Sequence, residues 1–405
     1  MNTAEYIPDA NHSLRIALLG TRGVPASYGG FETAVDEIGR RLAARGHEVT
    51  VYCRAAKGAP KPTSYEGMRL VHLPALHKRS LETLSHSALS VVHLLREDPP
   101  DVVVVFNAAN SVFLPLLRLR RTPAATHVDG LEWQRGKWGR VGKTYYRAAE
   151  SLAVRWSDAL IADAQGIADY YREEFAADTE QIAYGAPIVR DADQNRLSEV
   201  GCLPRKYHLV VARFEPENHV DLIIEGYLRS NASLPLVVVG SSPYASDCNR
   251  RISELASRSD RVRLLGGVWD QQLLDILYAN SLTYVHGHSV GGTNPSLLRA
   301  MGAGAAVIAY DVSFNRDVAG PHSVVFSDAD RLADELIRAE TDPAACEDRG
   351  RKLQLRAESV YTWDGVTDQY ERLCVRLAQG ASQRGRFTGK RPQRSRGGHE
   401  ARGPR

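Results

Sequence analysis

A double glycine followed by Thr-Asn-Pro is the pattern in this chain with the clearest capacity for chemistry. Residues 286–302 read HGHSVGGTNPSLLRAMG. Asn294 is a residue type that caps helix N-termini, and Pro295 fits the first position of a helix. The free N–H groups at such a terminus attract anions, so the segment predicts a turn that binds a diphosphate. The candidate binding residues are His288, Gly291, Gly292, Thr293, Asn294 and Ser296.

A second glycine-rich turn lies near the N-terminus, where residues 20–30 read GTRGVPASYGG. A turn of this kind, after a first parallel strand and before a helix, lets a ligand approach the backbone. Its spacing fits neither G-x-G-x-x-G nor G-x-x-x-x-G-K-[ST], which argues against a nicotinamide enzyme and a P-loop NTPase. The candidate ligand-binding glycines are Gly23, Gly29 and Gly30, and a plain flexible loop is the alternative.

Short apolar runs alternate with helical patterns along the chain, which indicates α/β architecture with parallel sheets. Runs such as Val102–Val105 and Val237–Val239 are typical of strands covered on both faces. One helix is predicted from Phe31 to Leu42, because apolar residues recur there at helical spacing and Gly46 follows. The predicted strands are 14–20, 48–54, 68–74, 101–107, 124–129, 159–163, 208–213, 235–240, 261–266, 282–286, 306–311 and 323–326.

The series of strands restarts after a polar stretch, so we predict two Rossmann-like domains. The predicted division is an N-terminal extension 1–13, a domain 14–190, a linker 191–205, a domain 206–360, a returning helix 361–379 and a disordered basic tail 380–405. The tail, residues 381–405, carries a net charge of +7 and the remaining residues carry −4. With one aromatic residue, Phe387, the tail lacks a platform for stacking bases, so we expect no nucleic acid partner.

The composition excludes several classes of protein. Hydrophobic residues make up 43% of the 405 residues and charged residues 24%, close to the average of soluble globular proteins. No stretch reaches the roughly 18 unbroken apolar residues of a membrane span, because the longest, near 101–117, is interrupted by Asn107, Asn110 and Pro115. The segment 1–13 lacks the features of a signal peptide, and five widely separated cysteines show no metal-ligand spacing. We therefore expect a cytoplasmic protein with free thiols.

These segments together resemble the retaining glycosyltransferases of family 4, which have the GT-B fold. The chain is most similar to their rhamnosyltransferase-like branch, whose N-terminal domain was long described only as a domain of unknown function. The matching stretches are LLGTRGVPASYGGFET (18–33), HVDGLEWQRGKWG (127–139), IADAQGIADYY (161–171), IAYGA (182–186), VARFEPENH (211–219) and HGHSVGGTNPSLL (286–298). The resemblance implies a nucleotide-sugar donor on the C-terminal domain and an acceptor on the N-terminal domain.

The resemblance also implies roles for single residues. Arg213 matches the basic residue that pairs with the donor diphosphate and stabilises its departure. Most relatives carry two glutamates eight residues apart where this chain has Gly291 and Arg299, and many carry a lysine where it has Asn218. We expect Arg299 to point back to the helix N-terminus and to supply the cation missing at Asn218. A degenerate glutamate position, with altered or lost activity, is the alternative.

Two further groups are candidates on the acceptor side. His127 and Asp129 close a predicted strand at the cleft. There Asp129 is placed to orient or deprotonate an acceptor hydroxyl, and His127 to contact the transferring sugar. The segment 133–147, WQRGKWGRVGKTYYR, mixes five cations with four aromatic rings and is suited to lipid head groups or a phosphorylated acceptor. Its candidates are Trp133, Arg135, Lys137 and Trp138, with local packing as the alternative. The helical pattern 81–95 is a weaker candidate for membrane contact.

We therefore expect a glycosyltransferase that moves a hexose or a deoxyhexose such as rhamnose to a glycan or a polyprenyl-linked acceptor, in polysaccharide synthesis. It would need no cofactor besides the nucleotide-sugar donor and no metal, and would work in the cytoplasm or on the inner face of the plasma membrane. A catalytically degenerate GT-B binding protein and a sugar-nucleotide epimerase on the same scaffold remain as alternatives.

Overall fold

The structure, a computed structural model, describes residues 13–26, 29–55, 58, 60–76, 81–128, 131–134, 138–190, 192–241 and 247–383. Within these residues the first sheet has eight strands in the order β3-β4-β2-β1-β5-β6-β7-β8, and only β3 runs antiparallel to its neighbour. The strands are β1 (Arg15–Leu19), β2 (Glu48–Arg54), β3 (Ser64–Tyr65), β4 (Met68–Leu73), β5 (Val102–Phe106), β6 (Ala124–Val128), β7 (Ala159–Ala162) and β8 (Glu180–Gln181).

The second sheet has six parallel strands in the described part of the chain, in the order β11-β10-β9-β12-β13-β14. They are β9 (His208–Val211), β10 (Leu236–Val239), β11 (Val262–Gly266), β12 (Thr283–His286), β13 (Ala306–Tyr310) and β14 (Val324–Phe326). Each of the twelve runs predicted as strands forms one, and the two parallel sheets confirm the predicted pair of α/β domains. The two-residue strands β3 and β8 were not predicted, since so short a segment has no periodicity.

Helices cover both sheets and bury their apolar faces against them. In chain order they are α1 (Gly30–Ala44), α2 (Glu82–Leu94), α3 (Leu114–Leu117), α4 (Arg140–Trp156), α5 (Gln165–Phe175), α6 (Val220–Arg229), α7 (Asp247–Ala256), α8 (Gln271–Ala279), α9 (Pro295–Gly302), α10 (Ser313–Ala319), α11 (Ala329–Thr341), α12 (Pro343–Val360) and α13 (Trp363–Ala378). The prediction for α1 is confirmed: the residues at helical spacing face the core, and Gly46, after its end, has a φ of +92°.

The last helix of the described residues, α13, follows the second sheet in sequence but packs on α1 of the first domain. Glu371 of α13 accepts hydrogen bonds from Arg45 at 2.5 Å and from His47 at 2.9 Å. Beyond α13, Ser382 and Gln383 bind the side chain and the carbonyl oxygen of Asp158. The chain thus stays attached to the first domain through residue 383, and residues 384–405 lie outside the described residues.

The segment predicted as a linker between the domains contains ordered structure. A 3-10 helix runs from Gln194 to Val200, capped by the side chain of Asp193. Leu197 and Cys202 are buried in the hydrophobic core. The segment shows no apolar periodicity because it forms a short 3-10 helix and a loop, in which single apolar residues contact the core.

Candidate active site

The carboxyl-terminal edges of the two sheets face each other, and the two glycine-rich turns meet there. A Cβ atom on Gly30, at the start of α1, would lie 3.0 Å from Cγ of Pro295, at the start of α9. The hydroxyl of Thr293 donates a hydrogen bond to the carbonyl oxygen of Asp163, which follows β7. In parallel α/β sheets this edge is where ligands bind. The fold therefore brings the two turns selected from the sequence to one cleft.

The turn before α9 has the predicted local geometry. Asn294 caps the helix, since its Oδ1 accepts a hydrogen bond from the N–H of Ser296 at 2.9 Å, and Pro295 is the first helical residue. Gly291 has a φ of +129°, a conformation that favours glycine. The turn directly follows β12, so the helix N-terminus is presented at the sheet edge, where it attracts anionic groups.

Gly292 has a steric role at the boundary between the domains. A Cβ atom on Gly292 would lie 2.0 Å from Oδ1 of Asp163 and 2.6 Å from Cδ1 of Ile167. Asp163 is buried, and sequence reasoning did not select it. The sequence could have identified Asp163, because it is the last residue of a predicted parallel strand and such residues lie at the ligand-binding edge of the sheet.

The loop after β9 carries Arg213 and is joined to the loop after β12. The side-chain amide of Asn218 donates a hydrogen bond to the carbonyl oxygen of Arg213 at 2.9 Å. Its Oδ1 lies 2.8 Å from Nδ1 of His288, which therefore carries the proton in this contact. Asn218 is buried and its amide joins the two loops, so a direct contact with a donor stays a prediction for Asn218.

Two residues that sequence reasoning missed complete this support. The side-chain amide of Asn315 donates to the carbonyl oxygen of His288 at 2.9 Å. His286, at the end of β12, lies with its Nδ1 3.0 Å from the hydroxyl of Tyr284. Burial lowers the pKa of His286 to about 3, so its ring is neutral. Asn315 thus holds the backbone of the turn in place, while the side chain of His286 is fixed within β12 by Tyr284.

Arg299 lies away from the place that sequence reasoning assigned to it. Its guanidinium group donates to Oδ1 of Asp275 at 2.6 Å and to the side chain and the carbonyl oxygen of Gln271. Asp275 and Gln271 belong to α8, and the pair is largely shielded from solvent. The prediction that Arg299 points back to the N-terminus of α9 is therefore wrong. An acidic partner on the neighbouring helix offers a stronger interaction than a terminus with partial charges.

The glycines of the first turn divide into two groups. Gly23 is buried with a φ of +101°, and a Cβ atom there would lie 2.5 Å from Sγ of Cys53, so its requirement for glycine comes from packing. Gly29 has a φ of +108° and precedes α1. Gly29 and Gly30 thus lie at the cleft, while Gly23 lies beneath it.

His127 ends β6 inside a group of aromatic rings. Its ring stacks on those of Phe106 and Tyr184, with centroids 5.6 and 5.8 Å away, and Phe31 meets it edge-on at 5.0 Å. The side chain is 1% exposed, and neither ring nitrogen has a hydrogen-bond partner among the described residues. Burial lowers the pKa of His127 to about 3, so the ring is neutral and suited to hydrogen bonding rather than to carrying charge.

The predicted acceptor segment is described only in part. Asp129, Arg135 and Lys137 lie outside the described residues. Nε1 of Trp138 donates to Glu132 at 3.3 Å, and the guanidinium carbon of Arg147 lies 4.8 Å from the ring centroid of Trp133. Both tryptophans therefore make local contacts, which is the alternative that the sequence left open.

Two kinds of feature are absent from the described part of the chain. It contains no group of three or more His, Cys, Asp or Glu side chains arranged to hold a metal ion. None of its helices combines the length and the apolar character needed to cross a membrane.

Comparisons with solved structures identify the fold. Sucrose-phosphate synthase from Thermosynechococcus elongatus superimposes with a TM-score of 0.78 at 21% identity, covering 89% of this chain and 98% of that one. HepE of Anabaena in complex with UDP-glucose gives 0.69 at 15% identity, covering 89% and 99%. The α,α-trehalose 6-phosphate synthase of Burkholderia multivorans gives 0.68 at 14% identity, covering 92% and 100%. At these identities the similarity establishes a shared fold.

Comparisons at the level of sequence identify the class. Residues 29–185 match the model of the glycosyl transferase 4-like domain, and residues 199–356 match that of glycosyl transferases group 1. The O-antigen chain mannosyltransferase B of Escherichia coli is 24% identical over 169 residues, which are 40% of this chain and 44% of that protein. The chain thus matches less than half the length of this curated relative. Both domain models match in order on the two sheets, so the chain consists of two glycosyl transferase domains arranged in the GT-B fold.

Proposed function

We propose that the protein transfers a sugar from a nucleoside-diphosphate donor to a glycan acceptor with retention of anomeric configuration. The observation that carries this proposal is the turn Gly291–Asn294, a helix N-terminus at the edge of β12 that faces the other domain. A diphosphate is the donor group that such a terminus binds best. Arg213 lies in the adjoining loop, and we propose that its guanidinium group adds a full positive charge at the same edge.

The proposed reaction follows from this placement. The donor's bond between the sugar C1 and the phosphate oxygen breaks, and the electron pair leaves with the nucleoside diphosphate. The acceptor hydroxyl forms the new bond to C1 on the face that the diphosphate leaves, and its proton passes to a phosphate oxygen. Arg213 and the N–H groups before α9 stabilise the developing negative charge. We propose that these groups suffice, so that transfer needs neither a metal ion nor another cofactor.

For the transferred sugar we propose a hexose or a deoxyhexose such as rhamnose. The relatives support a nucleotide sugar in general, since HepE is in complex with UDP-glucose and the similar enzyme of Escherichia coli is a mannosyltransferase of O-antigen chains. The acceptor we propose is a glycan or a polyprenyl-linked glycan used in polysaccharide synthesis at the cytoplasmic side of the membrane.

We also propose that the N-terminal domain contacts an anionic membrane surface through α2 and the segment 114–121. Leu89 and Val92 of α2 are exposed, as are Leu116 and Leu119. The two elements are neighbours, because Arg120 donates to the carbonyl oxygen of Leu95. Leucines flanked by arginines suit the interface of an anionic bilayer. This surface replaces the segment around Trp133 as our candidate.

The membrane proposal is tested by sedimentation with vesicles of phosphatidylglycerol or of phosphatidylcholine. Leu119→Glu should weaken binding to the anionic vesicles. Leu355→Glu changes another exposed leucine, on α12 of the other domain, and should leave binding unchanged. Equal binding by both variants would exclude this surface.

The proposed reaction is tested by thermal unfolding with UDP, GDP, ADP and dTDP and their sugar conjugates. A ligand at about 100 times its Kd stabilises the folded state by about 2.7 kcal/mol. The conjugate that stabilises most is then incubated with the protein and glycan acceptors, and NMR follows the anomeric configuration of the product. An inverted product, or the absence of stabilisation by every nucleotide, would contradict the proposal. Transfer that survives EDTA would support the absence of a metal.

A further inference from the structure

A charged cluster lies on the carboxyl-terminal edge of the first sheet, beside the turn that meets α9. Arg54, at the end of β2, pairs through Nη1 with Oε1 of Glu82 at 3.2 Å and donates through Nη2 to Thr83 at 2.9 Å. Arg22, in the glycine-rich turn, lies 3.8 Å from the other carboxylate oxygen of Glu82. The backbone N–H of Arg22 binds Glu32 in the first turn of α1 at 3.1 Å.

The cluster is shielded on one side and open on the other. The side chain of Arg54 is 12% exposed, whereas those of Glu82 and Arg22 are 32% and 55% exposed. Burial and the neighbouring Arg22 lower the pKa of Arg54, while Glu82 and Glu32 act in the opposite direction. Two arginines thus face two carboxylates, so the local charge is close to balanced.

Polar atoms without hydrogen-bond partners occur in Arg54, in α2 and in the 3-10 helix that packs on α2. Nε of Arg54 is buried and has no hydrogen-bond partner within the described residues. The same holds for one side-chain oxygen each of Ser87, Asn110 and Ser111. The 3-10 helix Ala108–Phe113 after β5 packs on α2. Glu82 and Thr83 of α2 in turn bind Arg54 at the end of β2. His86 is fully buried, and its ring interacts with the backbone of Cys53 and with the charges of Arg54 and Glu82.

Buried polar groups in folded proteins are nearly always hydrogen-bonded, so a group of them without partners indicates a bound water or ligand. The charged cluster of Arg22, Arg54 and Glu82 beside these atoms offers donors and acceptors side by side. A guanidinium that donates beside a carboxylate that accepts matches the paired hydroxyls of a saccharide, which do both. A phosphate only accepts, and the carboxylate of Glu82 would repel it.

We infer that Arg22, Arg54 and Glu82 form the subsite that binds hydroxyl groups of the acceptor saccharide, with Glu82 as the accepting group. This inference rests on the proposed function, because it assigns the ligand class of the domain opposite the donor. It is a binding role: these residues fix the acceptor ring and leave the reacting hydroxyl free to reach the donor.

The test uses methyl glycosides of mannose, glucose, galactose and rhamnose as probes. Inorganic phosphate is added as a competing ligand. Binding is measured by NMR titration of the full-length protein. At least one glycoside should bind, and Glu82→Gln should weaken it about tenfold or more, because a charged hydrogen-bond acceptor is lost. Arg22→Gln, at a largely exposed position, should weaken it in the same direction without endangering the fold.

A second ion pair in the same domain provides the matched control. Arg69 of β4 pairs with Glu97 at 3.1 Å, and both side chains are exposed. Glu97→Gln and Arg69→Gln should therefore leave glycoside binding within about twofold of the wild type. Binding of nucleoside diphosphates is measured on the same variants. This measurement distinguishes a failure of the proposed donor site from a failure of the proposed acceptor subsite. Lack of binding by every glycoside, equal binding by Glu82→Gln, or displacement of the glycoside by phosphate would overturn the inference.

Discussion

Arg213 is the residue whose removal should affect the reaction most. Its backbone is fixed by Asn218, so its guanidinium group starts from a preorganised loop. We expect Arg213→Ala to lower kcat/KM by the equivalent of about 2–4 kcal/mol, the range for a preorganised electrostatic group. Arg213→Lys should retain part of the rate, since it keeps the charge but loses the planar fork.

The measurement is steady-state kinetics with the donor that the nucleotide screen selects. Arg338→Ala is the control, because Arg338 is an exposed arginine of the same domain that pairs within its own helix. If a folded Arg213→Ala variant keeps the kcat/KM of the wild type, Arg213 does not belong to the active site.

Arg299 should matter for stability through its pairing with α8. Arg299→Glu would place a carboxylate beside that of Asp275, and we expect it to lower the free energy of unfolding by about 1–3 kcal/mol. Adding Asp275→Arg to this variant should recover part of the loss, because it restores an ion pair with the charges exchanged. Thermal unfolding of the single and double variants checks this. A more active or more stable Arg299→Glu variant would favour the view that this position has lost an ancestral glutamate contact.

Buried neutral histidines should make the fold sensitive to acid. His127 and His286 have pKa values near 3 and His86 near 4, all lowered by burial from about 6.5. Between these values and 6.5 the unfolded chain binds protons that the folded chain does not, so stability falls as the pH falls through this window. Each histidine should account for about 2 kcal/mol of lost stability at pH 5.

Denaturant unfolding at pH 7 and pH 5 measures this effect. His127→Phe fits the surrounding aromatic rings and removes one titrating group, so the loss between the two pH values should shrink. An unchanged loss would mean that His127 is protonated more easily than its burial implies.

Among the secondary-structure elements, α13 and the residues just after it determine how far the C-terminus can be shortened without loss of stability. Ser382 and Gln383 bind Asp158, while residues 384–405 carry no apolar sequence suited to a core. Deleting 384–405 should leave the Tm unchanged, and deleting 381–405 should cost about 1 kcal/mol for the lost hydrogen bonds. Thermal unfolding of both truncations distinguishes them. A large drop in Tm for the shorter deletion would show that the basic segment packs on the domains.

At the scale of the whole molecule, the approach of the two domains depends on Gly292. Gly292 lies so close to Asp163 that a Cβ atom would clash with the carboxylate. Gly292→Ala should therefore hold the domains apart and reduce kcat at least about tenfold. Gly139→Ala is the control, since a Cβ atom there meets nothing within 4 Å. Small-angle scattering should show a larger radius of gyration for the first variant alone. If Gly292→Ala and Gly139→Ala have the same radius of gyration and the same kcat, the contact between Gly292 and Asp163 is not needed for catalysis.

The local pattern of the sequence was sufficient for the elements and for one half of the site. Strands such as β5 follow from runs of buried valines, and α9 begins at Asn294 because an amide cap and a proline favour that position in any fold. The two glycine-rich turns were also predicted from the sequence, because each lies between a predicted strand and a helix, and such a pattern can be recognised without the tertiary structure. The resemblance to the glycosyltransferases pointed to the same turns.

Only the tertiary structure decided which side chains meet. Arg299 and Asp275 are 24 residues apart and lie on different helices, so their pairing depends on how α8 and α9 pack. Glu82 and Arg54, and likewise Asp163 and Gly292, are brought together by sheet order, which the periodicity of single elements does not encode. The sequence by itself therefore determined the two α/β domains and the turns at their edges. The packing of those elements decided the direction of each long charged side chain, because such a side chain follows the best partner within its reach.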